Sequence, residues 1–314
     1  MLKKIVFAGT SEFGIPSLKM LAGSDEYQVA LVISQPDRPK GRKLWISPSP
    51  ISVTALELGL PLERPESVAS PELFRLLSDI APDLIVTASY GELLSRELRS
   101  IPALGAINIH PSLLPRYRGA TPIQSALRHG DTLSGITIFR MTGKMDAGPI
   151  LFQKEYRVAP DDDYGSLHER FAAESATLLN ELLREMNRGE VTPQPQDHSK
   201  ATYTAKTGKD DQIIPWTASA VSIHNLIRSL SPVPGAYQFY RDDPLRFLKS
   251  EVTNEASNGV PGTVGKLIRN IGFTVNTGDF QLLIKSVQPA GKKVMDSWAF
   301  TLGSRITAGT TLGK

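Results

Sequence analysis

Cysteine is absent from the 314 residues. That excludes disulfides, thiolate nucleophiles, iron–sulfur clusters and Cys-ligated zinc. Histidine is scarce: His110, His129, His168, His198 and His224 are the five. None stands three or four residues from another, so no helical turn offers a pair of imidazoles to a metal. No window reaches the ~18 apolar residues of a membrane-spanning helix. The first apolar run, Ile5 to Ala8, stops at Gly9, which is short for a signal peptide. The expectation is a cytoplasmic chain with no membrane partner. A dominant charge is also missing, because 35 Lys and Arg stand against 32 Asp and Glu. Hydrophobic residues at 40% and charged residues at 21% are ordinary for a globular protein, so a packed core is expected. The length suits two domains of about 100–200 residues each.

What is present alternates. Lys3–Ala8, Gln28–Ser34, Leu84–Ala88, Ala106–Ile109 and Gly135–Met141 are short apolar runs that read as buried strands. Helix signals lie between them. Ser70 followed by Pro71 gives an N-cap and a proline in the first turn, and Thr121-Pro122 repeats the device. Strands alternating with helices predict βαβ units and a parallel sheet covered on both faces. A long helix is predicted over Leu167–Arg188, with Ser166 and Glu169 as a capping box and Gly189 as the stop.

The texture then changes. Residues 190–205 hold two prolines and almost no large apolar side chains, and they read as a linker. After them come one amphipathic helix, Ala218–Leu230, and five strand-like runs between residues 236 and 287. Turn signals separate the runs, which predicts a small barrel or sandwich. Residues 1–189 carry a net −1, 190–205 another −1, and 206–314 a net +5. The second domain is thus the basic one, which points toward a polyanion.

Three motifs bear on chemistry. Gly9-Thr10-Ser11-Glu12-Phe13-Gly14 follows the first strand. It lacks both the Lys-Ser/Thr of a P-loop and the G-x-G-x-x-G of a dinucleotide site, so it reads as a tight turn into a helix. In Ala106-Ile107-Asn108-Ile109-His110 the two polar residues share one face of a strand. They sit near its C-terminal end, where doubly wound sheets place ligands. An amide donor and an imidazole together suit an oxyanion formed at a carbonyl. They equally suit a polar pair anchoring the next loop. Asp146, in a glycine-rich loop after the Gly135–Met141 strand, reaches His110 if the two strands are neighbours; otherwise it is a turn former. The third motif, Gln35 to Pro48, holds Arg38, Lys40, Arg42, Lys43 and Trp45. Cations beside an aromatic suit a nucleic-acid backbone or an unpaired end, and a solvated loop has the same composition.

Taken together, Asn108-x-His110, the stretch Ser112-Leu113-Leu114-Pro115-x-Tyr117-Arg118-Gly119, and Asp146 in Met-Asp-x-Gly resemble the folate-dependent formyltransferases. Gln35-Pro36-Asp37-x-Pro39-x-Gly41-Arg42 and Tyr203-Thr204-Ala205-Lys206 extend the resemblance to the tRNA-directed members and to essentially the whole chain. The resemblance implies an α/β fold: a Rossmann-like parallel-sheet catalytic domain over 1–189, a linker over 190–205, and an OB-like β-barrel over 206–314 that binds tRNA. It implies Asn108, His110 and Asp146 as the catalytic set. The one-carbon donor would be 10-formyltetrahydrofolate, held by Ser112, Leu113, Leu114 and Pro115 and by the loops near 90–94 and 142–146. The acceptor would be initiator methionyl-tRNA, met by Arg38, Lys40, Arg42, Lys43 and Lys206. The enzyme would need no metal and would work as a cytoplasmic monomer. A formyltransferase or hydrolase for a small amine, such as a sugar nucleotide, shares the catalytic set and is the alternative.

Overall fold

The computed structural model describes residues 3–40 and 45–313, with the side chain of Lys40 outside that description. Contacts divide the chain into two units. Unit 1 is Met1–Pro122, Leu133–Tyr156 and His168–Thr204; unit 2 is Ile123–Thr132, Arg157–Leu167 and Ala205–Lys314. The segment 190–204, read as a linker, therefore groups with unit 1.

Unit 1 is built on the apolar runs. In chain order it has β1 (Lys4–Gly9), α1 (Ile15–Ala22), β2 (Gln28–Ile33), a short antiparallel pair β3 (Arg38–Lys40) and β4 (Trp45–Ser47), and α2 (Pro50–Glu57). Then follow β5 (Leu62–Glu63), α3 (Pro71–Ile80), β6 (Leu84–Ala88), α4 (Arg96–Ser100), β7 (Ala106–His110) and β8 (Arg118–Gly119). Helix α5 (Pro122–His129) follows in the chain but groups with unit 2 from Ile123 on; unit 1 resumes with β9 (Leu133–Arg140), β10 (Ile150–Arg157), α6 (Tyr164–Arg188, in unit 1 from His168) and β11 (Tyr203–Thr204). The main sheet has the order β10-β9-β7-β6-β1-β2-β5. From β5 to β7 every pairing is parallel, the connectivity of a doubly wound dinucleotide-type fold. Strand β9 departs from the expected parallel sheet, because it lies antiparallel to β7, with His110 opposite Thr137. A strand buried on both faces reads the same in either direction, so sequence does not assign its sense.

Serine caps start the helices where the sequence places them. Ser70 Oγ accepts the Leu73 amide at 3.1 Å ahead of Pro71. Helix α6 begins earlier than predicted. Asp163 Oδ1 accepts the Ser166 amide at 2.9 Å and Ser166 Oγ accepts the Asp163 amide at 3.1 Å. The cap is thus Asp163, and Ser166 is its reciprocal partner within the first turn. On one side of the sheet, Val6, Ala8, Leu31, Ile33 and Ile85 meet Leu73 and Leu77 of α3 and Leu98 of α4. Helix α6 buries Phe171, Leu178, Leu179, Leu182 and Leu183 completely. Each such side chain contributes about 1.5–3 kcal/mol of apolar burial.

Unit 2 is an antiparallel sheet. After α7 (Ala220–Leu230) come β12 (Ala236–Tyr240), β13 (Asp243–Ala256), β14 (Val264–Ile268), β15 (Gly272–Asn276), β16 (Phe280–Pro289), β17 (Met295–Asp296) and α8 (Ser297–Ser304). The order is β12-β13-β16-β15-β14, with β17 on β16. The C-terminal stretch closes it. Val264 donates to Thr310 O, Leu312 to Gly262 O and Gly313 to Phe239 O, each at 2.8 Å. Those bonds tie the β14 edge to the β12 edge and make a small barrel. Ile223, Leu226, Ile227 and Leu230 of α7 pack into its core with Phe247, Phe273, Val275 and Ile284.

Candidate active site

The site lies in unit 1, at the end of β7. Thr87 of β6 stands in parallel register opposite Asn108 of β7, so the two side chains share a face. Thr87 Oγ1 is 2.6 Å from Asn108 Oδ1. A hydroxyl donating to that oxygen turns the amide so that Nδ2 points away. Among the described residues Nδ2 has no hydrogen-bond partner, and it remains available as a donor. His110, the last residue of β7, is buried beside Phe139. Its Nε2 is 2.9 Å from Tyr117 O. A carbonyl only accepts, so Nε2 carries a proton. Nδ1 faces Asp146 Oδ2 at 3.7 Å. Both ring nitrogens thus have protein neighbours, and a direct bond from His110 to an oxyanion requires one of these contacts to open.

Asp146 reaches His110 because β9 is the next strand and the loop 141–149 turns back from its end. Gly148 makes that turn, since a Cβ there would overlap Arg140 O. Asp146 itself has φ +49°, a left-handed conformation that a non-glycine residue holds only under restraint. Its Oδ2 accepts the Gly119 amide at 2.7 Å. Gly119 has φ +112°, and a Cβ there would overlap Thr204 O, so only glycine brings that amide to the carboxylate. Asp146 Oδ1 accepts no hydrogen bond from the described residues.

The folate residues expected from the resemblance divide into two sorts. Ser112 and Leu114 are internal. Ser112 Oγ is spent on Arg116 O at 2.8 Å, and Leu114 O accepts Gln153 Nε2 at 3.0 Å. Leu113 and Pro115 are half-buried and keep a free surface. Sequence reasoning missed Arg99, which links the two other candidate loops: its Nε donates to Leu94 O at 3.0 Å and its Nη1 to Met141 O at 3.4 Å. It also missed Thr87, whose one signal was a hydroxyl within the apolar run LIVTA.

The basic loop is pinned at its base. Ser34 Oγ and Ser49 Oγ are 2.6 Å apart and buried, which draws the two ends of residues 35–48 together. Arg64 grips Asp37 at 2.9 and 3.0 Å. Arg38 is exposed and pairs with Glu66 at 3.5 Å. Trp45 and Ile46, adjacent on β4, are 69% and 74% exposed. Arg42 and Lys43 lie outside the described residues, as does the side chain of Lys40. Lys206 is exposed at the start of unit 2.

The sequence matches two family descriptions, formyl transferase over residues 3–183 and formyl transferase, C-terminal domain, over residues 206–305. It is 41% identical over 314 residues to a methionyl-tRNA formyltransferase of Roseiflexus castenholzii, covering 100% of both chains. A second such enzyme, from Moorella thermoacetica, is 38% identical over 310 residues, 99% of each chain. Among solved structures, an N-formyltransferase from Helicobacter canadensis in complex with folinic acid and dTDP-3-aminofucose is similar, with a TM-score of 0.66 and 17% identity. The match covers 92% of this chain and 100% of that one. Methionyl-tRNA formyltransferase from Clostridium thermocellum gives a TM-score of 0.56 at 18% identity, over 81% of this chain and 95% of that one.

Proposed function

The chain belongs to the formyl transferase family, and from that premise we propose that it formylates the α-amino group of initiator methionyl-tRNA, using 10-formyltetrahydrofolate as donor. The observation that carries the reading is the cluster of Asn108, His110 and Asp146, with the Asn108 amide turned by Thr87. Identity of about 40% along the full length with enzymes named for methionyl-tRNA favours that acceptor over a small amine. So do the net +5 of residues 206–314 and the exposed Trp45 and Ile46 beside Arg38. Leu113, Pro115 and the loops 90–94 and 142–146 are the candidate folate contacts, Arg38, Lys40, Arg42, Lys43 and Lys206 the candidate tRNA contacts. The enzyme is read as a cytoplasmic monomer.

The bound folate supplies a formyl carbon to the site. Asn108 Nδ2 donates to the oxygen of that carbon as it gains charge, which lowers the barrier because the donor is fixed beforehand. The attacking amine must be neutral, and free α-amino groups titrate at about 7.7–8.0, so little activation is required. As nitrogen bonds to carbon it sheds a proton. Asp146 Oδ1 takes that proton, with His110 Nδ1 beside the carboxylate. The bond from carbon to the folate N10 then breaks, and the proton is returned to N10. The amine has exchanged one hydrogen for a formyl group, and the folate the reverse.

Single substitutions test this. Asn108→Ala, His110→Ala and Asp146→Ala are expected to keep the fold and lose about 10²–10³ in kcat, the usual cost of one oxyanion donor or acid–base group. Near-full turnover removes that residue from the mechanism. Formylation of small amines, with none of methionyl-tRNA, hands the function to the alternative.

A further inference from the structure

Gln196 lies in the segment that composition marks as a linker, yet its side chain is only 7% exposed. Its Nε2 donates to Asp146 O at 2.9 Å and to Gly148 O at 2.7 Å. Its Oε1 accepts Arg118 Nη2 at 2.6 Å and Nε at 3.2 Å. Every hydrogen-bonding position of the amide is thereby used in one direction or the other. Arg118 is itself 2% exposed. Its remaining bonds go to His198 Nδ1 at 2.9 Å and Tyr203 Oη at 3.3 Å. Among the described residues no carboxylate pairs with it. A buried guanidinium held wholly by neutral acceptors makes each acceptor costly to lose.

We propose that Gln196 is a positioning residue for Asp146; the inference rests on reading Asp146 as the proton acceptor. Asp146 sits in an irregular loop at a left-handed φ of +49°. Such a conformation persists only where the surroundings over-determine it. Two restraints act here on one residue. Gly119 holds the carboxylate, and Gln196 holds the carbonyl of Asp146 together with that of Gly148. The first fixes the side chain, the second the peptide from which it springs. Without the amide donors both carbonyls lose their bonds, and the backbone relaxes toward ordinary φ. The carboxylate then swings from His110 and from the amine. A displacement near 1 Å at a reacting group costs about 10²-fold in rate.

Gln196→Glu separates this role from mere packing. The carboxylate still accepts from Arg118, and more strongly, but no longer donates to the two carbonyls. The expected result is a fall in kcat of about 10- to 100-fold, with KM for both substrates within two-fold of wild type. In an Asp146→Ala background, Gln196→Glu should then cost nothing further in single-turnover rate, because both act through one carboxylate. Should the Glu variant fail to fold, Gln196→Met is read in the same cycle. Wild-type kcat in the variant overturns the proposal, and so does an equal loss in the Asp146→Ala background. If Asp146→Ala alone turns over at the wild-type rate, the underlying reading has failed, and that control reports it separately.

Discussion

Thr87 Oγ1 approaches Asn108 Oδ1 to 2.6 Å across the β6–β7 pair. A buried threonine on a neighbouring strand is thus placed to orient the Asn108 amide, with Ile107 O as its second acceptor at 3.1 Å. Thr87→Val keeps the shape and removes the hydroxyl. The amide is then free to flip and present its oxygen to a developing oxyanion. Expected is a loss of about 10-fold or more in kcat, below the 10²–10³ of removing the donor outright. KM should hardly move, and Thr87→Ser should restore most of the rate. Steady-state formylation of charged tRNA measures all three, and a Val variant at full speed would falsify the orienting role.

The base of the basic loop offers a second prediction. Ser49 Oγ accepts the Ser52 amide at 3.0 Å as the cap of α2, and it is the hydrogen-bond partner of Ser34. Ser49→Ala is expected to cost about 1–3 kcal/mol, from the lost cap and the stranded hydroxyl of Ser34. Chemical denaturation gives the number. Ser34→Ala in the same chain should recover part of it, since losing both partners is cheaper than stranding one. If the loop meets tRNA, KM for tRNA rises in Ser49→Ala while kcat holds.

Acid sensitivity provides a third. Burial first, and then nearby Arg228, hold the His224 imidazole below its ordinary value; burial does the same to His168, partly offset by Glu12. Folding therefore favours the neutral rings, and the unfolded chain takes up protons at about pH 6.5. Their contribution is full above that value. It drains away as pH falls from about 6.5 toward the lowered folded values. The melting temperature should drop between pH 7.5 and 5.0, and His224→Gln should flatten that drop. Parallel curves for variant and wild type would remove His224 from the account.

Much of this molecule is readable in its sequence because its signals are local. Ser70 and Pro71 mark a helix start wherever they occur before an apolar pattern. Asn108 and His110 break a buried strand in a way that invites explanation. What escapes is relational. Ser166 has the right partner for a cap three residues ahead, but Asp163 lies three residues behind it and takes the role. Thr87 is an unremarked strand residue until its register with Asn108 is known. Gln196 sits among prolines and polar side chains, and nothing local tells a solvated glutamine from one spanning two backbone carbonyls. The direction of β9, which ends beside Ile107 and so obliges its following loop to turn back before Asp146 meets His110, depends on pairing rather than on composition.

The stretch 190–204 also bears on where this chain tolerates being cut or lengthened. Polar, proline-containing connectors are the usual places for fusion points, protease sites and inserted tags. Here Thr202 donates to Pro115 O at 3.3 Å, Tyr203 and Thr204 pair with β8, and Gln196 covers Arg118. A catalytic fragment ended at Gly189 would open a buried guanidinium to water and release the loop of Asp146. One carried through Thr204 keeps these contacts. The boundary suggested by composition and the boundary set by hydrogen bonding differ by 15 residues, from 190 to 204.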